Sequence, residues 1–107
     1  MPAWIEARLP TASIPLVEID ALDGAVVDVR QANEYKAGHL PGATNIELGA
    51  IAHAALPVGA VTVMCGHGER AMSAASILVA RGASEIRVLV GGPDEWAART
   101  GRPLVVA

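Results

Sequence analysis

The chain has 107 residues, 52% of them apolar, and a formal net charge of −3 at pH 7. The length accommodates one domain, and the apolar content excludes an intrinsically disordered chain. A nucleic-acid partner is excluded because the only lysine is Lys36 and no run of basic residues supplies the cationic surface that a phosphate backbone requires.

Short apolar runs alternate with helix-like segments along the first half of the chain. The strands predicted in this half cover residues 15–19, 25–29 and 44–46. The second of them has no polar residue before Asp28, as expected for a strand that is covered on both faces. A short helix is predicted over 31–36 and ends at Gly38. The alanine-rich segment 48–55 is predicted as a further helix that ends before Pro57.

The same alternation continues in the second half. The strands predicted there cover residues 60–64 and 86–90. The clearest helix is predicted over 71–81, because its apolar residues recur at helical spacing and Gly82 follows it. A last helix is predicted over 93–99, with Pro93 in its first turn. Strands that alternate with helices in this way predict an α/β domain with a mainly parallel sheet.

The segment that follows the predicted strand 60–64 carries the residues with a chemical role. The strand delivers Cys65 to its carboxyl end, where ligands bind in parallel sheets. Four residues separate Cys65 from Arg70, which opens a helix. Gly66 and Gly68 allow the loop to curl around the sulfur, so that backbone N–H groups and the helix N-terminus favour the thiolate. The same arrangement would hold a negatively charged adduct, such as a persulfide.

Other polar residues have simpler interpretations. Asp28 and Arg30 end a predicted strand, and we interpret them as an ion pair that positions the following loops. A substrate-steering role for Arg30 is the alternative. We expect the ring of His67 at the entrance to the site. His39 is interpreted as a hydrogen-bonding turn residue and Trp96 as a packing anchor.

The single cysteine and one long apolar stretch limit the cofactors and the cellular location that the sequence predicts. Cys65 excludes an internal disulfide and a cysteine-rich metal site, and we predict neither a metal nor a cofactor. A lone thiol is typical of a reducing compartment, so a cytoplasmic location is predicted. Residues 48–68 approach the length of a membrane span, but Pro57 and Gly59 interrupt them. We therefore predict no membrane partner.

The beginning of the chain is predicted to lie outside the domain. Residues 1–14 are interpreted as an N-terminal extension, and residues 15–107 as the domain itself. The segment around Trp4 echoes the segment around Trp96. This echo leaves open whether the extension is the tail of a preceding, similar domain.

Four motifs in chain order resemble the signatures of the rhodanese-like sulfurtransferase family. They are Val27-Asp28-Val29-Arg30 with Glu34-Tyr35, the turn Gly38-His39-Leu40-Pro41-Gly42-Ala43, the loop Cys65-Gly66-His67-Gly68-Glu69-Arg70, and Gly91-Gly92-Pro93 with Trp96. Each motif alone is weak, but the four together are specific, and the match runs from about Val17 to Leu104. The resemblance implies an α/β fold with a five-stranded, mainly parallel sheet and helices on both faces.

The resemblance also implies a ping-pong sulfurtransferase reaction. Cys65 would take a sulfane sulfur from a small-molecule donor, and its persulfide would pass the sulfur to cyanide, a thiol or a protein acceptor. The residues implied to hold the persulfide are Gly66, His67, Gly68, Glu69 and Arg70. Related phosphatases carry one more residue between the cysteine and the arginine, so the spacing here resembles that of the sulfur-handling members.

The loop departs from the family pattern in its charge. Glu69 is acidic where the loops of thiosulfate users tend to be basic, and its charge would repel a dianionic donor. A small-molecule or protein persulfide is therefore the favoured donor. Arg70 is expected either to link to a nearby carboxylate such as Glu69 or to stabilise the loop and its anion. The alternative function is a non-catalytic sulfur-carrier or docking module excised from a larger multidomain protein.

Overall fold

The computed structural model describes residues 14–83 and 85–106. Within them, five strands form one sheet: Leu16–Glu18 (β1), Ala25–Asp28 (β2), Thr44–Asn45 (β3), Val61–Met64 (β4) and Ile86–Val90 (β5). The α-helices of the same part are Ala32–Ala37 (α1), Glu69–Ala80 (α2) and Pro93–Thr100 (α3). The strand order is β1-β5-β4-β2-β3, and every neighbouring pair is parallel.

The sheet is covered on both faces, and each face has its own apolar core. Successive side chains of a strand point to opposite faces, so Val63 packs in one core and Met64 in the other, both fully buried. Helix α2 covers the first face with Ala71, Ala74, Ala75 and Leu78. Tyr35 of α1 and Trp96 of α3 pack on the second face. The α/β class and the helices on both faces are confirmed, and the sheet is parallel throughout.

Helix α2 begins two residues before its predicted start. Gly68, at its N-terminal cap, has a φ of 96° and turns the chain from the loop into the helix, so that Glu69 and Arg70 become its first turn. At the other end, Gly82 has a φ of 96° and ends the helix as predicted. The position of the first turn matters for the site described below.

The predicted helix over 48–55 is wrong. Only Leu48–Ala50 forms a 3-10 helical turn, and irregular turns follow it. The guanidinium of Arg81, at the end of α2, donates hydrogen bonds of 2.9 Å to the carbonyl oxygens of Ile51 and Ala54. Pro57 has no N–H with which to continue a helical ladder. Tertiary hydrogen bonds therefore replace the helical ones in this segment.

The predicted N-terminal extension falls outside the described residues, apart from Ile14. The interpretation of residues 1–14, including the echo around Trp4, therefore stays a prediction. None of the described helices has the length and apolar character needed to cross a membrane.

The strand order brings three loops to one edge of the sheet. β4 lies between β2 and β5, with Met64 paired to Asp28 and Val63 paired to Val88. Because all three strands are parallel, the loops that leave their carboxyl ends lie side by side. The segment after β4, residues 65–70, which includes the first two residues of α2, is called the cysteine loop below.

Candidate active site

The sulfur of Cys65 lies within the curl of the cysteine loop. Its Sγ accepts a hydrogen bond from the backbone N–H of Gly68 at 2.9 Å and another from that of Ala71 at 3.3 Å. The left-handed conformation of Gly68 aims its N–H at the sulfur, and glycine adopts that conformation at little cost. Converging N–H groups of this kind suit an atom that carries negative charge.

The first turn of α2 supplies further hydrogen-bond donors beside the sulfur. Within residues 14–83 and 85–106, no acceptor is found for the N–H groups of Glu69 and Arg70. Such unmatched donors are a property of every helix N-terminus, where the helix dipole also places partial positive charge. A second sulfur atom bonded to Cys65 would find these donors in the same loop.

A cleft of about 640 Å³ lies at this edge of the sheet. Its polar lining comes from the loops and first helical turns that follow β2, β4 and β5, and consists of Arg30, Glu34, His67, Arg70, Asp94 and Glu95. Cys65 is 1% exposed and does not line the cleft, whereas the adjacent Gly66 does. The sulfur is therefore nearly inaccessible in this conformation, although the residue that follows it lines the cleft.

Arg70 is paired with Glu34 of α1 across the cleft. Its two terminal nitrogens donate to the two carboxylate oxygens at 2.8 and 3.2 Å. These bonds, together with one from the Gln31 N–H, lower the pKa of Glu34 from 4.5 to about 2. The same hydrogen bond with Glu34 raises the pKa of Arg70. The nearby carboxylate to which Arg70 links is thus Glu34 and not Glu69, which is exposed and lies outside the cleft lining.

Asp28 and Arg30 form a buried ion pair at the end of β2. Arg30 donates through Nε and Nη2 to both oxygens of Asp28 at 2.8 to 3.1 Å, and Asp28 is fully buried. The same Nη2 donates to the carbonyl oxygen of Gly38 at 2.8 Å. The pair therefore ties the turn after α1 to the end of the strand, and its role in positioning the following loops stays a prediction.

The loop after β5 supports the cysteine loop through its backbone. The N–H of Gly92 donates to Glu95 at 2.9 Å, which starts helix α3. A β-carbon built on Gly92 would lie under 3.0 Å from the carbonyl oxygen of Gly66. A side chain at residue 92 would therefore displace the cysteine loop.

The structure brings most of the predicted site residues together and adds others. Gly66, His67 and Arg70 line the cleft, and Gly68 donates to the sulfur. The N–H of Ala71 was not predicted, although a donor in the first helical turn is a signal that sequence reasoning could have used. The roles of Glu34, Gly92, Asp94 and Glu95 in the cleft were also missed.

His39 does not take part in the cleft. Its Nδ1 lies 2.8 Å from the carbonyl oxygen of Tyr35, and its ring stacks on the Tyr35 ring at 3.6 Å. Its N–H and carbonyl also pair with Val105 in an antiparallel bridge. His39 is thus a hydrogen-bonding turn residue. Trp96 is 6% exposed in the second core, as a packing anchor should be.

Comparison with known proteins places this arrangement in a family. The model of the Rhodanese-like domain matches residues 15–99. The chain belongs to the rhodanese-like domain family. The four sequence motifs lie inside the matched region, and each contributes at least one residue to the cleft or to its cysteine.

Individual relatives of this rhodanese-like domain are similar over most of their length. Thiosulfate sulfurtransferase GlpE of Pseudomonas fluorescens (strain SBW25) is 38% identical over 85 residues, which cover 77% of this chain and 76% of that protein. Thiosulfate sulfurtransferase GlpE of Pseudoalteromonas translucida (strain TAC 125) is 32% identical over 83 residues, covering 75% and 79%. The solved structure of a rhodanese with anions from E. coli is 28% identical, with a TM-score of 0.61 over 78% of this chain and 100% of that chain.

Proposed function

We propose that this rhodanese-like domain is a sulfurtransferase that carries a sulfane sulfur as a persulfide on Cys65. The observation that carries the proposal is the pair of backbone N–H groups, from Gly68 and Ala71, directed at the Cys65 sulfur. The names of two relatives, both thiosulfate sulfurtransferases, support the reaction class.

The reaction proceeds in two sulfur transfers. In the first, the Cys65 thiolate attacks the outer sulfur of the donor, a new S–S bond forms, and the donor's leaving group departs with the electron pair of the bond that breaks. In the second, a thiolate or cyanide attacks the outer sulfur of the persulfide, and the Cys65 thiolate is released. No general base is needed, because the attacking group is an anion in both steps.

The loop backbone gives the persulfide its binding site. The N–H groups of Gly68 and Ala71 hold the inner sulfur, and the unmatched N–H groups of Glu69 and Arg70 are the donors available to the outer one. Both kinds of donor belong to the backbone, so the site is built before any donor arrives. This pre-organisation stabilises the charged intermediate without a cofactor.

The proposed partners are small molecules and thiols. The donor is a small-molecule or protein persulfide, and the acceptor is cyanide, a thiol or a protein thiol. The acceptor comes from outside this chain because Cys65 is its only cysteine. The chemistry requires a free thiol, and we therefore place the reaction in a reducing compartment such as the cytoplasm.

A non-catalytic sulfur carrier is the second candidate function, and the burial of Cys65 favours it. At 1% exposure the sulfur presents little surface to a donor, and slow access would limit turnover but not the final occupancy. A catalyst turns over many donors with free cyanide. A carrier loads one sulfur per chain and then transfers it only to a partner, so steady-state and single-turnover rates separate the two.

The test of the proposal is the intact mass of the protein after exposure to a sulfur donor. Thiosulfate, glutathione persulfide and mercaptopyruvate are the donors to compare. We expect the addition of one sulfur atom, reversed by cyanide, and no addition in Cys65→Ser. His53→Ala is the control, because His53 is exposed and outside the cleft lining. Transfer of sulfur to cyanide by Cys65→Ser would overturn the mechanism.

A further inference from the structure

The cleft contains two guanidinium groups, and each is already paired with a carboxylate. Arg30 is held by Asp28, and Arg70 by Glu34. Two more acids, Asp94 and Glu95, line the same cleft. An anionic donor that enters the cleft therefore meets cations whose charge is compensated.

The two ion pairs differ in their exposure. Asp28 is fully buried, so its pair with Arg30 is part of the core. The side chains of Glu34 and Arg70 are 36% and 38% exposed, and both line the cleft. The Glu34–Arg70 pair therefore faces any molecule that binds there.

Arg70 lies beside the cysteine loop where that loop lines the cleft. A β-carbon built on Gly66, the residue after Cys65, would lie 3.8 Å from Nη2 of Arg70. The guanidinium thus lies beside the residue that follows Cys65, and Glu34 compensates its charge there. Glu69 is adjacent in sequence but exposed and outside the lining, where solvent screens its charge.

We propose that Glu34 is a specificity-determining residue, which neutralises Arg70 in the cleft and so selects singly charged persulfide-like donors over dianionic donors. This inference rests on the proposed sulfurtransferase function. It moves the origin of the selectivity from Glu69, in the cysteine loop, to a residue of α1.

The test compares two donors that transfer the same kind of sulfur and differ by one charge. Thiosulfate is a dianion that leaves as sulfite, and methanethiosulfonate is a monoanion that leaves as methanesulfinate. In each case the Cys65 thiolate forms the new S–S bond and the leaving group takes the electron pair of the broken one. The measured quantity is the ratio of the second-order rates of Cys65 persulfide formation, thiosulfate over methanethiosulfonate, followed by intact mass.

We expect Glu34→Gln to raise this ratio about fivefold. The change removes one nearby negative charge, and thiosulfate gains more from this because it carries one more negative charge than methanethiosulfonate. Glu18→Gln is the charge-matched control, because Glu18 is exposed on the edge strand β1, outside the cleft lining. Its ratio should stay within about twofold of that of the wild type, since solvent screens the charge of an exposed side chain outside the cleft. Glu69→Gln tests the loop acid directly and should also change the ratio less than Glu34→Gln.

The remaining outcomes overturn either the role of Glu34 or the proposed function. An unchanged or lowered ratio in Glu34→Gln, or a larger rise in Glu69→Gln, overturns the role of Glu34 and leaves the sulfurtransferase proposal standing, provided the wild type forms the persulfide. If the wild type forms no persulfide with either donor, the proposed function itself is overturned, and the selectivity with it.

A second measurement needs no variant and applies if Glu34→Gln does not fold. Added salt screens repulsion, so it should speed the loading of wild-type protein with thiosulfate more than with methanethiosulfonate. The opposite order would show that the cleft attracts the dianion and would overturn the proposal.

Discussion

The backbone of Gly92 lies directly against the carbonyl group of Gly66. A β-carbon on residue 92 would come under 3.0 Å from the Gly66 oxygen and to 3.2 Å from the Cys65 oxygen. Both oxygens belong to the backbone, so a side chain at this position is accommodated only if one of the two loops moves. The loop after β5 thus determines where the cysteine loop lies.

Gly92→Ala is therefore expected to disturb the site as well as the fold. We expect a loss of about 1–3 kcal/mol in the free energy of unfolding, typical of overpacking, and slower persulfide formation on Cys65. Gly49→Ala is the control, because a β-carbon there meets nothing within 4 Å. Urea denaturation and mass-based loading of both variants check this expectation. Wild-type loading in Gly92→Ala would show that the cysteine loop tolerates the displacement.

Asp28→Asn should be strongly destabilising. The change leaves the guanidinium of Arg30 buried against a neutral partner, and breaking a buried pair in this way costs about 3–5 kcal/mol. Asp23→Asn is the matched comparison, since the Asp23 side chain is 78% exposed in its pair with Arg87. That change should cost less than about 1 kcal/mol. Equal losses for the two variants in urea denaturation would contradict the positioning role of Asp28.

The Glu34–Arg70 pair predicts a pH dependence of stability. The pKa of Glu34 is about 2 in the folded protein, whereas its ordinary value, which applies to the unfolded chain, is 4.5. The folded state therefore binds this proton less tightly than the unfolded state. The stabilisation is fully present above 4.5 and is lost as the pH falls toward 2. As the pH is lowered through this range, the midpoint of urea denaturation should fall more steeply for the wild type than for Glu34→Gln. Parallel slopes would show that the pair contributes nothing to folding.

Thr62 offers a substitution that should stabilise the protein. It is fully buried in β4, and its hydroxyl oxygen has no hydrogen-bond partner among the described residues. Replacing a buried unsatisfied hydroxyl by a methyl group removes a desolvation penalty, so Thr62→Val should gain about 1 kcal/mol. Val63→Thr, at the fully buried neighbouring position, is the reciprocal control and should lose about 1–3 kcal/mol. A lower thermal midpoint for Thr62→Val would indicate a partner for the hydroxyl.

The local pattern of the sequence was sufficient for most of the fold. The five strands and the helices over 32–37, 69–80 and 93–100 were predicted to within about two residues, because their apolar spacing and their glycine and proline boundaries act locally. The segment 48–55 was predicted wrongly, because hydrogen bonds from Arg81 of α2, distant in sequence, decide its conformation.

The sequence alone was also sufficient to single out the candidate site: one cysteine at the end of a buried strand, followed by a glycine-containing loop and a helix. Tertiary structure decided what surrounds that cysteine. Glu34 reaches Arg70 across 36 positions, and Gly92 supports Gly66, only because β2 and β5 lie on either side of β4. Strand order depends on how the chain crosses the sheet, and side-chain charge compensation depends on strand order. Neither the strand order nor the charge compensation can be predicted from the spacing of neighbouring residues.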